Sequence, residues 1–352
     1  MRIEFEEKLL REFVTCVEKV FSKPKQVGIT GDGSAVSMFV AQDEHQVNFS
    51  VPLETSAFGV AVEAPRFAAA VKKAYSDVIG FEFLEKSVKL EYESAEVKLP
   101  YQTCERTCWS MVNELVETPS GFLESLAHLV FVPDTDPRFT GILVDPVDDG
   151  TVLSRFSGTA LALCKIDRKV STRFVISGGF IPLAKTKVDF SHLMISDRGF
   201  GLRSQRGVCI SSTLLADTYP EGYLESFALS TNGALVDRTA FPLCYEIDGK
   251  AFRNAVSLVS SVVGDDDQRV YFSVKGSELL ISTKSYKGLK AEETVGFSGI
   301  LSDTPKTFIL HKKTLAKALN NYKEGLFLVD HETAVYLCDE TGTRISVLVK
   351  LS

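Results

Sequence analysis

FTGILVDPVDDGTVLSRFSGTALALCKI, residues 139–166, holds three runs of β-forming residues: Gly141–Asp145, Thr151–Phe156 and Thr159–Ile166. Asp148-Asp149-Gly150 separates the first two, a turn signal in which glycine is free to take φ > 0. Ser157-Gly158 separates the second from the third. Links this short join antiparallel neighbours, so the stretch is expected to fold as a three-stranded meander. Just upstream, Gly121–Val132 (GFLESLAHLVFV) places Phe122, Leu126, Leu129 and Val130 at helical spacing. The unit is a helix followed by a small antiparallel sheet.

Outward from this stretch the same unit recurs at a period of about 60 residues. Glu6–Phe21 carries Leu10, Phe13, Val14, Val17, Val20 and Phe21 as one stripe and stops at Lys23-Pro24. The runs Ala35–Ala41, Gln46–Pro52 and Gly59–Val62 follow it. Pro65–Tyr75 is the second helix, with proline tolerated in its first turn. A short fourth helix is expected at Phe180–Lys187, weakened by Pro182. Asp248–Val263 is the fifth, with Asp248 as its cap, and Lys312–Tyr322 the sixth. Each is followed by three strand-like runs. Two adjacent units make one domain of ordinary size. The expected fold is α+β, with three similar domains at residues 1–115, 116–236 and 237–352.

Composition bounds the function classes. The chain has 352 residues, 45% hydrophobic and 24% charged, the balance of a globular protein with real cores. No apolar run approaches the roughly 20 residues of a membrane span. The N-terminal MRIEFEEKLL carries acids where a signal peptide needs basic and apolar regions. A cytoplasmic setting is expected, free in the cytoplasm or in a nucleoid, with no membrane partner. Seven cysteines, an odd count, read as reduced thiols. Cys104-x-x-x-Cys108 lacks a second Cys or His pair at zinc spacing. Neither metal nor cofactor is expected.

An enzyme is not expected either. Five histidines form no HExxH, and neither a GxSxG nor a P-loop is present. Gly31-Asp32-Gly33-Ser34 lacks the lysine and helix of a phosphate loop and reads as a hairpin turn. Asp265-Asp266-Asp267 reads as a solvated loop. Six β-rich units built alike suggest a scaffold made by repetition. Its function is then either a repeated surface for one polymeric partner or, as the rival reading, a β-rich structural or interaction role without DNA.

Charge placement separates these readings. Net charge is −7, which alone argues against nucleic acid. But the helix segments 65–75, 180–187, 250–263 and 311–323 contain no Asp or Glu, where composition predicts about six. They contain eleven Lys and Arg. Solvated helix faces normally mix both signs. A basic face on an acidic molecule suits sequence-independent contact with phosphates. The first helix fits less well, since Glu6, Glu7, Glu12 and Glu18 accompany its Lys and Arg.

The residues also resemble a known family. DGKAFRNAVSLVSSVVGDDDQRVYFSV (248–274), the acidic LKAEETV (289–295), FILHKKTLAKALNN (308–321) and TYPEGY (218–223) resemble segments of the bacterial DNA polymerase sliding clamp, the β processivity factor. The resemblance spans the chain and is strongest in its last third. It implies a head-to-tail dimeric ring around duplex DNA, loaded by a clamp loader. It also implies an apolar pocket that tethers DNA polymerase and other replication or repair proteins by short peptides. There are departures. The family's Thr-Asp-Gly-His-Arg-Leu-Ala stands here as Phe156-Ser157-Gly158-Thr159-Ala160-Leu161-Ala162. Its Met-Pro-Met-Arg-Leu ending stands as Val347-Leu348-Val349-Lys350-Leu351. Such divergence suits a clamp from a virus or a distant lineage.

By that resemblance Lys23, Arg66, Lys73, Arg138, Lys185, Arg253, Lys313 and Lys317 are expected at the DNA. Phe139, Gly158, Thr159, Leu161, Pro220, Leu224, Val347, Leu348, Val349 and Leu351 are expected to form the partner-peptide pocket. Val97 and Leu99 on one chain and Val262 and Val263 on another are expected at the dimer interface. The apolar run Ile345–Leu351 supports the pocket, because ordinary termini are polar and fray.

Overall fold

The structure, a computed structural model, describes residues 1–93, 95–105, 114–132, 141–223, 235, 244–263, 268–285, 288–299, 306–322, 325–331 and 333–351. Among these, one pattern recurs six times: strand, helix, then three strands. The helices are α1 (Glu7–Val20), α2 (Ala64–Lys73), α3 (Phe122–His128), a 3-10 helix (Gly178–Lys185), α4 (Gly249–Val263) and α5 (Lys312–Leu319). Of the six strands that precede the helices, sequence reading found one, Phe58–Glu63, as the run Gly59–Val62, and missed the other five. Arg2–Glu6 (RIEFE) shows why: it buries only Ile3 and Phe5 and reads as a charged lead-in to α1.

Helix ends follow local chemistry. Asp248 Oδ1 accepts from the Ala251 N–H at 2.7 Å and starts α4. Pro65 sits in the first turn of α2, where its missing N–H costs nothing. The fourth helix, expected over Phe180–Lys187, is instead the 3-10 helix. Pro182 lies inside it, lacking an N–H and disfavouring an α conformation at Ile181.

The chain divides into two compact units: Met1–Thr118 with Pro182–Leu214, and Pro119–Ile181 with Leu215–Ser352. The expected middle domain thus gives residues 182–214 to the first unit, while 119–181 and 215–236 fall in the second.

The first unit is built on one antiparallel sheet of twelve strands. In order they are Arg2–Glu6, Val78–Phe83, Ser87–Glu91, Glu96–Thr103, Phe58–Glu63, Gln26–Gly31, Ala35–Gln42, His45–Pro52, Cys209–Thr213, Gly199–Ser204, Phe190–Ile195 and Glu114–Glu117. α1 lays Leu10, Phe13, Val14 and Val17 into its core. There Phe5, Phe13, Phe49 and Phe81 meet edge-on at 5.0–5.8 Å. Each such buried ring is worth roughly 1.5–3 kcal/mol.

The second unit has its own twelve-stranded sheet: Phe174–Ile176, Ile142–Val147, Gly150–Ser157, Ala160–Ile166, Arg344–Val349, Ala334–Cys338, Gly325–Asp330, Cys244–Asp248, Lys290–Gly299, Glu278–Lys284, Arg269–Lys275 and Lys306–His311. The meander expected at 141–166 forms there, with Leu143 opposite Ser154 and Leu153 opposite Cys164. Gly141 opens it at φ +99°, and a Cβ at that position would stand 2.5 Å from the Ile176 carbonyl oxygen. Only glycine fits there.

Candidate functional site

In the second unit, strand Arg344–Val349 runs between Ala160–Ile166 and Ala334–Cys338. Ala160 lies opposite Leu348, Leu161 opposite Val347, and Leu163 opposite Ile345. Beyond the strand the backbone stays tied: Val349 N–H donates to Thr159 at 3.2 Å, Lys350 to Thr333 at 2.9 Å and Leu351 to Ile309 at 2.9 Å. Lys350 also pairs with the buried Asp330. Leu161 and Val347 are 1% and 0% exposed and share a core cluster with Leu143, Val175, Tyr219 and Tyr336. Leu348 is 3% exposed. These three are therefore a floor and not an open wall.

The surface over this joint belongs to others. Gly158, Thr159 and Pro220 are exposed, and Val349 and Leu351 are half-buried. Gly158 has no atom within 4 Å of where a Cβ would sit, and its backbone is not left-handed. Neither space nor strain requires glycine there. Phe139 and Leu224 lie outside the described residues. The TYPEGY segment is pinned at both ends: Tyr219 Oη donates to the Gly141 carbonyl at 3.2 Å, and Tyr223 Oη and Ser154 Oγ share a hydrogen bond of 2.5 Å.

The first unit repeats this joint. His45–Pro52 pairs with Cys209–Thr213, His45 opposite Ser212 and Gln46 opposite Ser211. The Thr213 N–H donates to Glu44 at 3.2 Å, as Val349 does to Thr159. In register, Gln46 replaces Leu161, Ser211 replaces Val347 and Ser212 replaces Leu348. Gln46 and Ser212 are fully buried and Ser211 is 4% exposed. The architecture is the same and the floor chemistry is reversed. Sequence reading missed this; aligning the hairpin turns Asp43-Glu44 and Gly158-Thr159 was the available signal.

His128, at the end of α3, supports the apolar joint from below. Its ring is 2% exposed and meets Tyr322 and Phe131 edge-on, each at 5.8 Å. Nε2 donates to the Ile345 carbonyl at 3.0 Å, which leaves Nδ1 bare in apolar surroundings. Burial pushes the imidazole down to about 4, against a small upward effect of the Ile345 bond; Arg344 and Asp339 act with opposite signs. The unfolded chain binds this proton near 6.5 and the folded one does not. Stability is therefore full above about pH 6.5, falls as pH drops towards about 4, and levels off below, by about 3 kcal/mol in all. Urea melts from pH 7 to 4 are expected to show this slope, and His128→Phe to flatten it.

The expected DNA residues are mostly at the surface. Lys23, Arg66, Lys73, Lys185, Lys313 and Lys317 are exposed, and Arg253 is half-buried. Arg138 lies outside the described residues. The first turns of α2, α4 and α5 carry no acid. Arg66 is paired with Glu63 at 2.9 Å and Lys72 with Glu18 at 2.6 Å, so these charges are partly neutralised locally.

Two strands change neighbours along their length. Glu96–Thr103 pairs through 96–100 with Ser87–Glu91 and through 101–103 with Phe58–Glu63. Lys290–Gly299 pairs through 290–296 with Glu278–Lys284 and through 297–299 with Cys244–Asp248. Among the described residues, no strand covers the other side of 96–100 or of 290–296. Val97 is half-buried at the first edge, while Leu99 is only 4% exposed and packs inward. On α4, Val262 is 45% and Leu258 53% exposed, and Leu258 lines a groove with Glu293–Gly296. The side chain of Val263 lies outside the described residues.

Among the described residues no group of three His, Cys, Asp or Glu side chains is placed to hold a metal ion. No described helix is long and apolar enough to cross a membrane.

Six strand–helix–sheet repeats, joined into two twelve-stranded sheets, give this chain the α+β fold of the bacterial DNA polymerase III β sliding clamp. The sliding clamp of Bacillus subtilis superposes with a TM-score of 0.80 at 18% identity, over 100% of this chain and 99% of that one. The β subunit of Thermotoga maritima gives 0.81 at 12% identity, over 100% and 99%. The β subunit of Pseudomonas aeruginosa gives 0.78 at 14% identity, over the whole of both chains. No family model matches the sequence, and no curated protein matches it.

Proposed function

We propose that this chain is a DNA polymerase processivity factor. In this reading it forms a ring of two copies, encircles duplex DNA without sequence preference, and tethers the polymerase through the apolar joint. The observation that carries it is the full-length likeness to sliding clamps at TM-scores of 0.78–0.81. The two uncovered strand edges support head-to-tail closure, since an open edge recruits another strand. Each copy would offer residues 96–100 to residues 290–296 of the next, with Val97 and Val262 near the contact. The proposed domains are residues 1–115, 116–236 and 237–352. The exposed lysines support phosphate contact. Partners are duplex DNA, a clamp loader, the polymerase and a second copy, in the cytoplasm at a nucleoid or viral replication site.

The peptide site would use Gly158, Thr159, Pro220, Val349 and Leu351 at its surface, over Leu161, Val347 and Leu348; Phe139 and Leu224 are proposed for it from the sequence alone. Few apolar anchors usually dominate such sites.

A topological experiment tests the reading. Protein loaded on nicked circular DNA is expected to stay bound through gel filtration and to be lost when the circle is cut. Equal retention on circular and linear DNA would sink the encircling ring. Light scattering is expected to give the mass of two chains; a monomer at micromolar concentration contradicts the closure.

A further inference from the structure

Arg173 precedes strand Phe174–Ile176 and turns its guanidinium onto the TYPEGY segment. Nε donates to Asp217 Oδ2 at 2.7 Å and Nη2 to Asp217 Oδ1 at 3.3 Å. Nη2 also reaches the carbonyl oxygens of Tyr219, at 2.9 Å, and Pro220, at 3.5 Å. Nη1 lies 3.6 Å from Asp145 Oδ2 on the neighbouring strand. Asp217 Oδ1 accepts in turn from the Tyr219 N–H at 3.0 Å. One planar fork therefore binds a carboxylate in bidentate fashion and holds two successive carbonyls, a geometry lysine cannot reproduce.

The fold does not need this fork to seat the segment. Tyr219 and Tyr223 are both 6% exposed, lie in the same core cluster as Leu161 and Val347, and have their hydroxyls bonded. What Arg173 adds is fixation of the backbone at Pro220, which is exposed. A fixed apolar surface residue matters most to a ligand that docks on it, because ordering completed beforehand is not lost again on binding. Asp217 and Asp145 also occupy the guanidinium, so it is not offered to an acid on the ligand.

We propose that Arg173 is the positioning residue of the partner-peptide site. It holds Pro220 as a rigid rim for the Leu and Phe anchors of an extended peptide, and it gives the site no preference for acidic positions. This rests on the peptide-binding reading above.

The test uses the full chain and a fluorescein-labelled hexapeptide whose only apolar residues are Leu and Phe, read by anisotropy. Wild type is expected to bind, and Arg173→Gln to weaken binding on the order of tenfold. Arg173→Lys is expected to recover only part of this. Asp217→Asn, which loosens the same fork from its other side, is expected to lose a similar factor. A merely structural role would lower affinity whatever stands at position 220. A role through Pro220 makes the two changes non-additive, so in a Pro220→Gly background the Arg173→Gln loss is expected to shrink below about twofold. A loss undiminished in that background overturns the proposal, as does equal binding by wild type and Arg173→Gln. No binding by wild type overturns the peptide site itself, and this role with it. An acid-containing hexapeptide that binds far more tightly than its neutral counterpart contradicts the specificity.

Discussion

Glutamate at Lys23, Lys73, Lys185 and Lys317 together is expected to abolish direct binding to a short duplex while leaving the fold intact. All four are exposed, and among the described residues none of them is ion-paired. Arg66 and Arg253 are poorer choices, since Glu63 already holds the first and the second is half-buried. Each lost phosphate contact removes about 0.9 from the slope of log affinity against log salt, so four lower it by between about three and four. At moderate salt this is on the order of a thousandfold, and charge reversal adds repulsion to it. The check is a salt titration of binding to a short duplex alongside a thermal melt. An unchanged slope in a stable quadruple variant would place the DNA surface elsewhere.

The second large effect concerns the joint in the second unit. Val347→Asp is expected to unfold that unit. Val347 is fully buried, flanked on both sides by paired strands, and has Leu161 and Tyr336 opposite it. An unpaired carboxylate there costs several kcal/mol, a large share of the roughly 5–15 kcal/mol that holds a domain. Leu351→Asp, at a half-buried position past the strand, is expected to keep the fold and to lose peptide binding. Paired urea melts and anisotropy separate the two. Removing residues 347–352 would excise half of an interior strand, so loss of polymerase stimulation by such a truncation says nothing specific about a peptide site. A Val347→Asp protein with wild-type stability would mean that the strand is not interior.

Much of the architecture was legible because β-runs, turn dipeptides and amphipathic stripes are local signals. The meander at 141–166 and α1 fall within a residue or two of their expected bounds. Five of the six strands that precede the helices were not legible; the sixth, Phe58–Glu63, was read as Gly59–Val62. Arg2–Glu6 exposes every second residue, and Phe174–Ile176 has only three. The site was less legible than the fold. That Leu161 and Val347 are apolar was plain. That they lie beneath the surface depends on which strand pairs with which, and Leu161 meets Val347 across most of the second half of the chain. No local pattern carries that pairing. The same limit hid the depth of Leu99, which shares the face of Val97 two residues away but lies opposite the buried Val88 and is only 4% exposed. Arg173 was invisible for a different reason: its partners Asp145 and Asp217 stand far apart in sequence and unite only through the sheet.

The placement of strand Arg344–Val349 between two earlier strands also sets the order in which the protein can be completed during synthesis. The first unit has all its strands once Thr213 has emerged, because His45 and Gln46 wait only for Ser212 and Ser211. In the second unit Leu161 and Leu163 must wait for Val347 and Ile345. At a typical translation rate of about 5–20 residues per second, that interval is on the order of ten seconds. Throughout it the nascent chain presents an unpaired apolar strand edge, the kind that captures other unfinished chains. Expression at lower temperature, or with a ribosome-associated chaperone in excess, acts on this interval and not on the finished molecule.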